Sequence, residues 1–150
     1  MTDVNFYNLT RTPLERALPK LLEKVIASGA RAVVLAGSSE RVEALNAALW
    51  TYDPDSFLPH GSSADGNPGL QPIWLTTVDE NPNGASFLFL TDGVEAGDLG
   101  RFERCLDLFD GNDETARLAA RDRWAAARNA GHTVAYYAQD AEGRWSTKSD

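Results

Sequence analysis

The chain has 150 residues, 43% hydrophobic and 24% charged, with a formal net charge of −8 at pH 7. That length and balance predict one globular domain spanning residues 1–150 around a single substantial core. They exclude DNA or RNA as a strong direct partner, because neutralising phosphates needs a positive surface. No run of about 18 apolar residues exists, so no membrane span is expected. Cys105, the single cysteine, has no partner within the chain, and the N-terminal MTDVNFYNL carries no basic leader. Both point to a reducing, cytoplasmic setting.

In chain order, Val4 to Leu9 alternates as a short strand. Thr12-Pro13-Leu14-Glu15 reads as a capping box with proline at the first helical position. Leu14, Leu18, Leu21, Leu22 and Val25 then mark one helical face, and Gly29 is a stop signal. Pro19 inside this pattern predicts a kink or a division of the helix. Arg31 to Gly37 (RAVVLAG) has the look of a buried strand. Ser38 is placed to cap a second helix running to about Trp50, with Val42, Leu45, Ala48 and Leu49 inward. Ser62 to Leu70 reads as a flexible loop, Pro72 to Thr77 as a strand and Asn81 to Gly84 as a turn. Ser86 to Thr91 (SFLFLT) is the clearest central strand, and Phe102 to Phe109 is another. Asn112 or Asp113 caps a last helix ending at Gly131. Thr133 to Gln139 is the final strand, and Glu142 to Asp150 a polar tail. Alternation of strands and helices predicts an α/β fold, a single domain with a mainly parallel sheet flanked by helices.

Two segments stand out chemically. LWTYDPDSFLPHG (Leu49 to Gly61) holds Trp50 and Phe57 beside Pro54 and Pro59. It is too apolar for a solvated loop and too broken by proline for a regular element, so it reads as two rings held by a rigid connection. In the last helix Arg117, Arg121, Trp124 and Arg128 fall at i, i+4, i+7 and i+11, on one face. Arginines on a surface helix are usually a solvated face. Here the face includes a tryptophan, costly to leave in water, and arginine with tryptophan is the composition of binding hot spots. Ala116, Ala120 and Ala127 on the other side suit close packing on the sheet. Arginine forks fit carboxylates, so the expected ligand is a small acidic group with an apolar anchor.

The remaining candidates carry less. The turn Ala36-Gly37-Ser38-Ser39-Glu40 stands where dinucleotide folds cradle a phosphate. It lacks both G-x-G-x-x-G and the P-loop pattern, and Glu40 opposes an anion. A nucleotide-binding α/β enzyme using Gly37 to Ser39 is the alternative function. His60 and His132 have no second ligand at metal spacing, so neither a metal nor a cofactor is expected. Ser56, His60 and Asp53 lie in one loop without a nucleophile elbow; the His60 ring is expected to bond a backbone carbonyl, and Asp53 and Asp55 to form turns. No catalytic set emerges.

The chain resembles the chi subunit family of bacterial DNA polymerase III. The carriers are Phe6-Tyr7, RAVVLAG, ALWTYDPDSFLPHG (Ala48 to Gly61), QPIWLT (Gln71 to Thr76) and RDRWAAARNAG (Arg121 to Gly131), in the family's order and over nearly the whole chain. The resemblance implies a non-catalytic, clamp-loader-associated subunit with a Rossmann-like fold that binds no nucleotide. It implies two partners: the acidic C-terminal tail of single-stranded DNA-binding protein, ending in Pro-Phe, and the psi subunit. It places Trp50 and Phe57 at aromatic pocket positions, Arg121 and Trp124 at a basic and an aromatic position of the last helix, and Arg117 at a basic position one turn earlier. Ala125 departs from a position that can be lysine, and Arg128 lies on the same face to compensate. On this reading the tail's phenylalanine enters a pocket walled by Trp50, Phe57 and Trp124, with its carboxylate on Arg121 or Arg117.

Overall fold

The computed structural model describes residues 2–53, 55 and 58–148. Strands β1 (Asp3–Leu9), β2 (Ala32–Leu35), β3 (His60–Ser62), β4 (Ile73–Thr76), β5 (Phe87–Leu90), β6 (Arg104–Asp110), β7 (Thr133–Gln139) and β8 (Trp145–Lys148) form one sheet, with helices α1 (Leu14–Ala27), α2 (Ser39–Thr51) and α3 (Glu114–Asn129) packed on it. The order across the sheet is β3-β4-β2-β5-β6-β1-β7-β8. Every pairing is parallel except β7 with β8. Parallel strands need crossover connections, and helices on both faces then bury the sheet twice over. That is why AVVL, IWLT and FLFL are continuous apolar runs rather than alternating ones.

The two faces are distinct cores. Ala32 and Val34 of β2 join Leu18, Leu22 and Val25 of α1 and Leu45 and Leu49 of α2 in one cluster. Their chain neighbours Val33 and Leu35 join Val4, Phe6, Leu88 and Phe109 with Ala120 and Ala127 of α3 in the other. The period-two alternation of a strand thus decides which helix each residue meets.

Several elements differ from expectation for local reasons. Helix α1 begins one residue later than a capping box would have it: Pro13 holds the N-cap position with no side-chain cap, and Thr12 instead bonds Gln139 through its backbone N–H and its hydroxyl. Pro19 does not divide α1, which runs unbroken through it with the ring buried. Part of the expected Ser62–Leu70 loop is ordered, with Ser62 ending edge strand β3 and a single 3-10 turn at Pro68–Leu70. The expected polar tail contains β8. Asp140 Oδ1 accepts the N–H groups of Glu142 and Arg144 at 2.9 Å each, turning the chain back. The Trp145 ring then meets Tyr7 edge-on at 5.0 Å, with Tyr7 stacked on Tyr137 at 4.9 Å. Ser38 and Asp113 cap α2 and α3 as expected, accepting from Arg41 N and Ala116 N at 3.2 Å.

One ion pair lies inside this frame. Asp107 of β6 and Arg123 of α3 have side chains 2% and 9% exposed. Arg123 Nε and Nη2 reach the two carboxylate oxygens at 2.6 and 3.0 Å. Burial pushes the Asp107 carboxyl above its ordinary range, against the pull of Arg123. Removing one partner leaves the other charge buried and unpaired, whereas removing both does not. Asp107→Ala is therefore expected to lose about 3–5 kcal/mol of stability in chemical denaturation. The double variant Asp107→Leu/Arg123→Met should recover most of that loss; recovery of none of it would contradict the account.

Candidate functional site

Helix α3 divides lengthwise. Ala120 and Ala127, seven residues apart, are buried against the sheet, so their small side chains let the helix lie close. Arg123, Ala126 and Ala130 turn to one flank, where they line a cleft of about 510 Å³ with Leu90, Ala96 and Leu99 on the β5 side. Arg117, Arg121, Trp124 and Arg128 occupy the opposite flank by the 3.6-residue period, which therefore turns toward β7.

On that flank the three arginines are exposed and Trp124 is half-buried. Trp124 packs against the same core cluster as Val134 and Tyr136 of β7. The Arg128 guanidinium sits 5.4 Å from the centre of the Trp124 ring, within cation–π range. Arg117 donates to the Gly111 carbonyl at 3.4 Å. Arg121, between them, has no side-chain partner among the described residues. Tyr136 is positioned from below: its hydroxyl accepts from Asn8 Nδ2 at 2.7 Å, and its ring tilts against Phe109 at 6.1 Å. A Cβ on Gly111 would run into the side chains of Asn8 and Thr10, so glycine here leaves room for the side chain that bonds Tyr136. The result is a cationic rim over a partly apolar floor, suited to a carboxylate that carries an aromatic or aliphatic group. Sequence reasoning found the rim and missed Tyr136, whose alternate position in TVAYYAQ signals only that it shares a sheet face with Val134.

Trp50 lies elsewhere. It lies in the last turn of α2, is 53% exposed, and tilts over the His60 ring at 4.6 Å beside edge strand β3. Helix α2 packs on the face opposite α3. It covers β3 and β4, while α3 covers β6, β1 and β7. From β4 to β1 is four strand spacings, about 19 Å, with the sheet between. Trp50 and Trp124 therefore do not wall one pocket, which corrects the single-pocket arrangement expected from sequence. Phe57, with Pro54 and Ser56, falls outside the described residues. His60 plays its expected part, its Nδ1 lying 2.6 Å from the Leu58 carbonyl oxygen. Asp53 likewise forms a turn, accepting from Asp55 N at 2.9 Å.

The first donor of the Gly37–Ser39 turn is not offered to a ligand. Gly37 N donates to Asp92 Oδ2 at 3.1 Å, and Asp92 in turn pairs with Arg41, which also holds Glu15. An anion there would displace a carboxylate and face another. Among the described residues no group of three His, Cys, Asp or Glu side chains could hold a metal ion. Among the described residues no helix is long and apolar enough to cross a membrane. Cys105 is buried, and burial pushes its thiol up to about 12, a poor nucleophile.

Comparison with known proteins identifies the family. The family described as "DNA polymerase III chi subunit, HolC" matches residues 1–135. A protein of Rickettsia prowazekii (strain Madrid E) named "Probable DNA polymerase III subunit chi" is 31% identical over 109 residues, 73% of this chain. The match spans 66% of that relative's own length, slightly less than two thirds. The family match runs from β1 through α3 and into β7, taking in both the Trp50 segment and the arginine–tryptophan flank: the chain belongs to the chi subunit family of DNA polymerase III.

Proposed function

We propose that this chain is a non-catalytic, cytoplasmic accessory subunit of the polymerase assembly, associated with its clamp loader, that captures the acidic C-terminal tail of single-stranded DNA-binding protein on the β7-side flank of α3. The observation that carries the reading is Arg121, exposed and without an ion-pair partner among the described residues, one turn from a half-buried tryptophan. The tail's terminal ring packs on Trp124 and Tyr136, and its α-carboxylate meets Arg121 or Arg117, bidentate where the fork allows. Acidic residues upstream in the tail meet the remaining arginines. Ring and carboxylate supply most of the free energy, while the exposed charges act on the association rate. A short peptide on such a surface reaches micromolar affinity, about −8 kcal/mol, and several tails on an oligomeric partner raise the avidity.

The psi subunit, where the organism has one, is assigned to the other end of the sheet. Trp50, exposed on the last turn of α2 beside an edge strand, is a large apolar anchor of the kind a protein partner covers. Phe57, seven residues on, is assigned with it. Two partners on opposite faces bind without competing, as a tether requires.

Calorimetry with a tail peptide tests the first assignment. Trp124→Ala and Arg121→Ala should each weaken binding by about 2 kcal/mol. Arg128→Ala should cost about 0.5 kcal/mol, as a rim charge does, and Trp50→Ala should leave the affinity unchanged. Loss of binding in Trp50→Ala with retention in Trp124→Ala would reverse the assignment. Deleting the peptide's terminal phenylalanine should hurt more than neutralising its acidic residues.

Direct binding to naked single-stranded DNA should be weak, because the chain carries a net charge of −8 and the basic flank of α3 is no long stacking groove. A nanomolar shift of a labelled oligonucleotide at physiological salt, without the partner protein, would overturn this.

A further inference from the structure

A cleft of about 870 Å³ lies beyond the carboxyl ends of the strands, bordered by the β1–α1 turn, Arg41, Asp92 and the start of α3. This is where doubly wound α/β folds bind phosphates, on the backbone donors of a strand–helix turn. The β1–α1 turn has those donors. The N–H groups of Thr10, Arg11 and Thr12 converge on one atom, Gln139 Oε1, at 3.2, 2.9 and 3.2 Å. Three successive amides aimed at one oxygen form a nest, a concavity that favours an anion. A carboxamide oxygen has only two lone pairs to offer them. Gln139 is held in this pose from its other side, where Nε2 donates to Thr12 Oγ1 at 2.8 Å and to the Gly143 carbonyl at 3.1 Å. In the second turn on the crevice, after β2, Asp92 takes one such donor, Gly37 N.

We infer that Gln139 is a built-in occupant of an anion nest: its carboxamide oxygen stands where an oxygen of a phosphate or carboxylate would sit, and so keeps the amides of the β1–α1 turn closed to free anions. The fold thereby retains the backbone of a phosphate site while the chain's own last parallel strand blocks it. In a cell rich in nucleotides and phosphate, such a plug leaves the molecule's conformation and its docking faces independent of those solutes. Gln139 ends β7, so the same contact also fastens the β7–β8 turn to the start of α1.

The test is amide NMR of the full chain titrated with inorganic phosphate, using sodium chloride at matched ionic strength as control. In Gln139→Ala the amides of Thr10, Arg11 and Thr12 should shift saturably at millimolar phosphate, while the unaltered chain and Gln139→Glu, whose side chain still fills the nest, should not respond. A folded Gln139→Ala whose three amides ignore phosphate, or an unaltered chain that responds equally, would overturn the inference. Should Gln139→Ala fail to fold, Gln139→Ser, likewise too short to reach the three amides, takes its place in the same titration with the same two outcomes.

Discussion

The sheet divides the molecule, and its outward chemistry follows from that division. A chain that goes from β1 through α1 to a non-adjacent β2, and later returns to place β6 and β7 on either side of β1, deposits its helices on opposite faces. The strands are buried on both sides, so each successive residue of β2 is committed to a different core. A one-residue slip in register would exchange the two sets. Both proposed docking surfaces are consequences: α2 carries Trp50 out at the β3 edge, and α3 carries its arginines over β7.

The α3 surface depends on small residues as much as on large ones. Ala120 and Ala127 bring the helix down onto the sheet, which half-buries Trp124 and leaves the arginines above it. The internal pair Arg123–Asp107 then anchors the opposite flank. One arginine of the helix is thus consumed inside, and those left for a ligand are the ones that sequence periodicity groups together. The chain's negative net charge makes this local cationic flank selective in a simple way. On the proposed reading an acidic peptide finds it by complementarity rather than by general attraction, and the polyanion of a nucleic acid meets an unfavourable field around it.

Much of this was legible in the sequence because the relevant signals are local. Strand β7 matches its expected bounds, and the caps of α2 and α3 announce themselves by Ser38 and Asp113. The arginine–tryptophan flank follows from helical period alone. What was not legible depends on contacts between distant residues. Strand β8 needs Tyr7 and Tyr137 to receive Trp145, partners well over a hundred residues apart in the first case, and its own polar composition gives no strand signal. Thr12 leaves its expected capping role because Gln139, 127 residues away, claims it. The merging of Trp50 and Trp124 into one pocket was the main error. Shared aromatic character says nothing about which face of a sheet a helix will occupy, and only the strand order separates them.

The central claim is that the acidic tail is held by the β7-side flank of α3 and not by the Trp50 end of the sheet. Mapping a tail peptide onto the isotopically labelled chain by amide NMR tests it most directly. The account predicts shifts concentrated along residues 117–128 and in β7 around Tyr136, with the α2–β3 end around Trp50 and His60 silent. Shifts centred on Trp50 and His60, with α3 undisturbed, would contradict it.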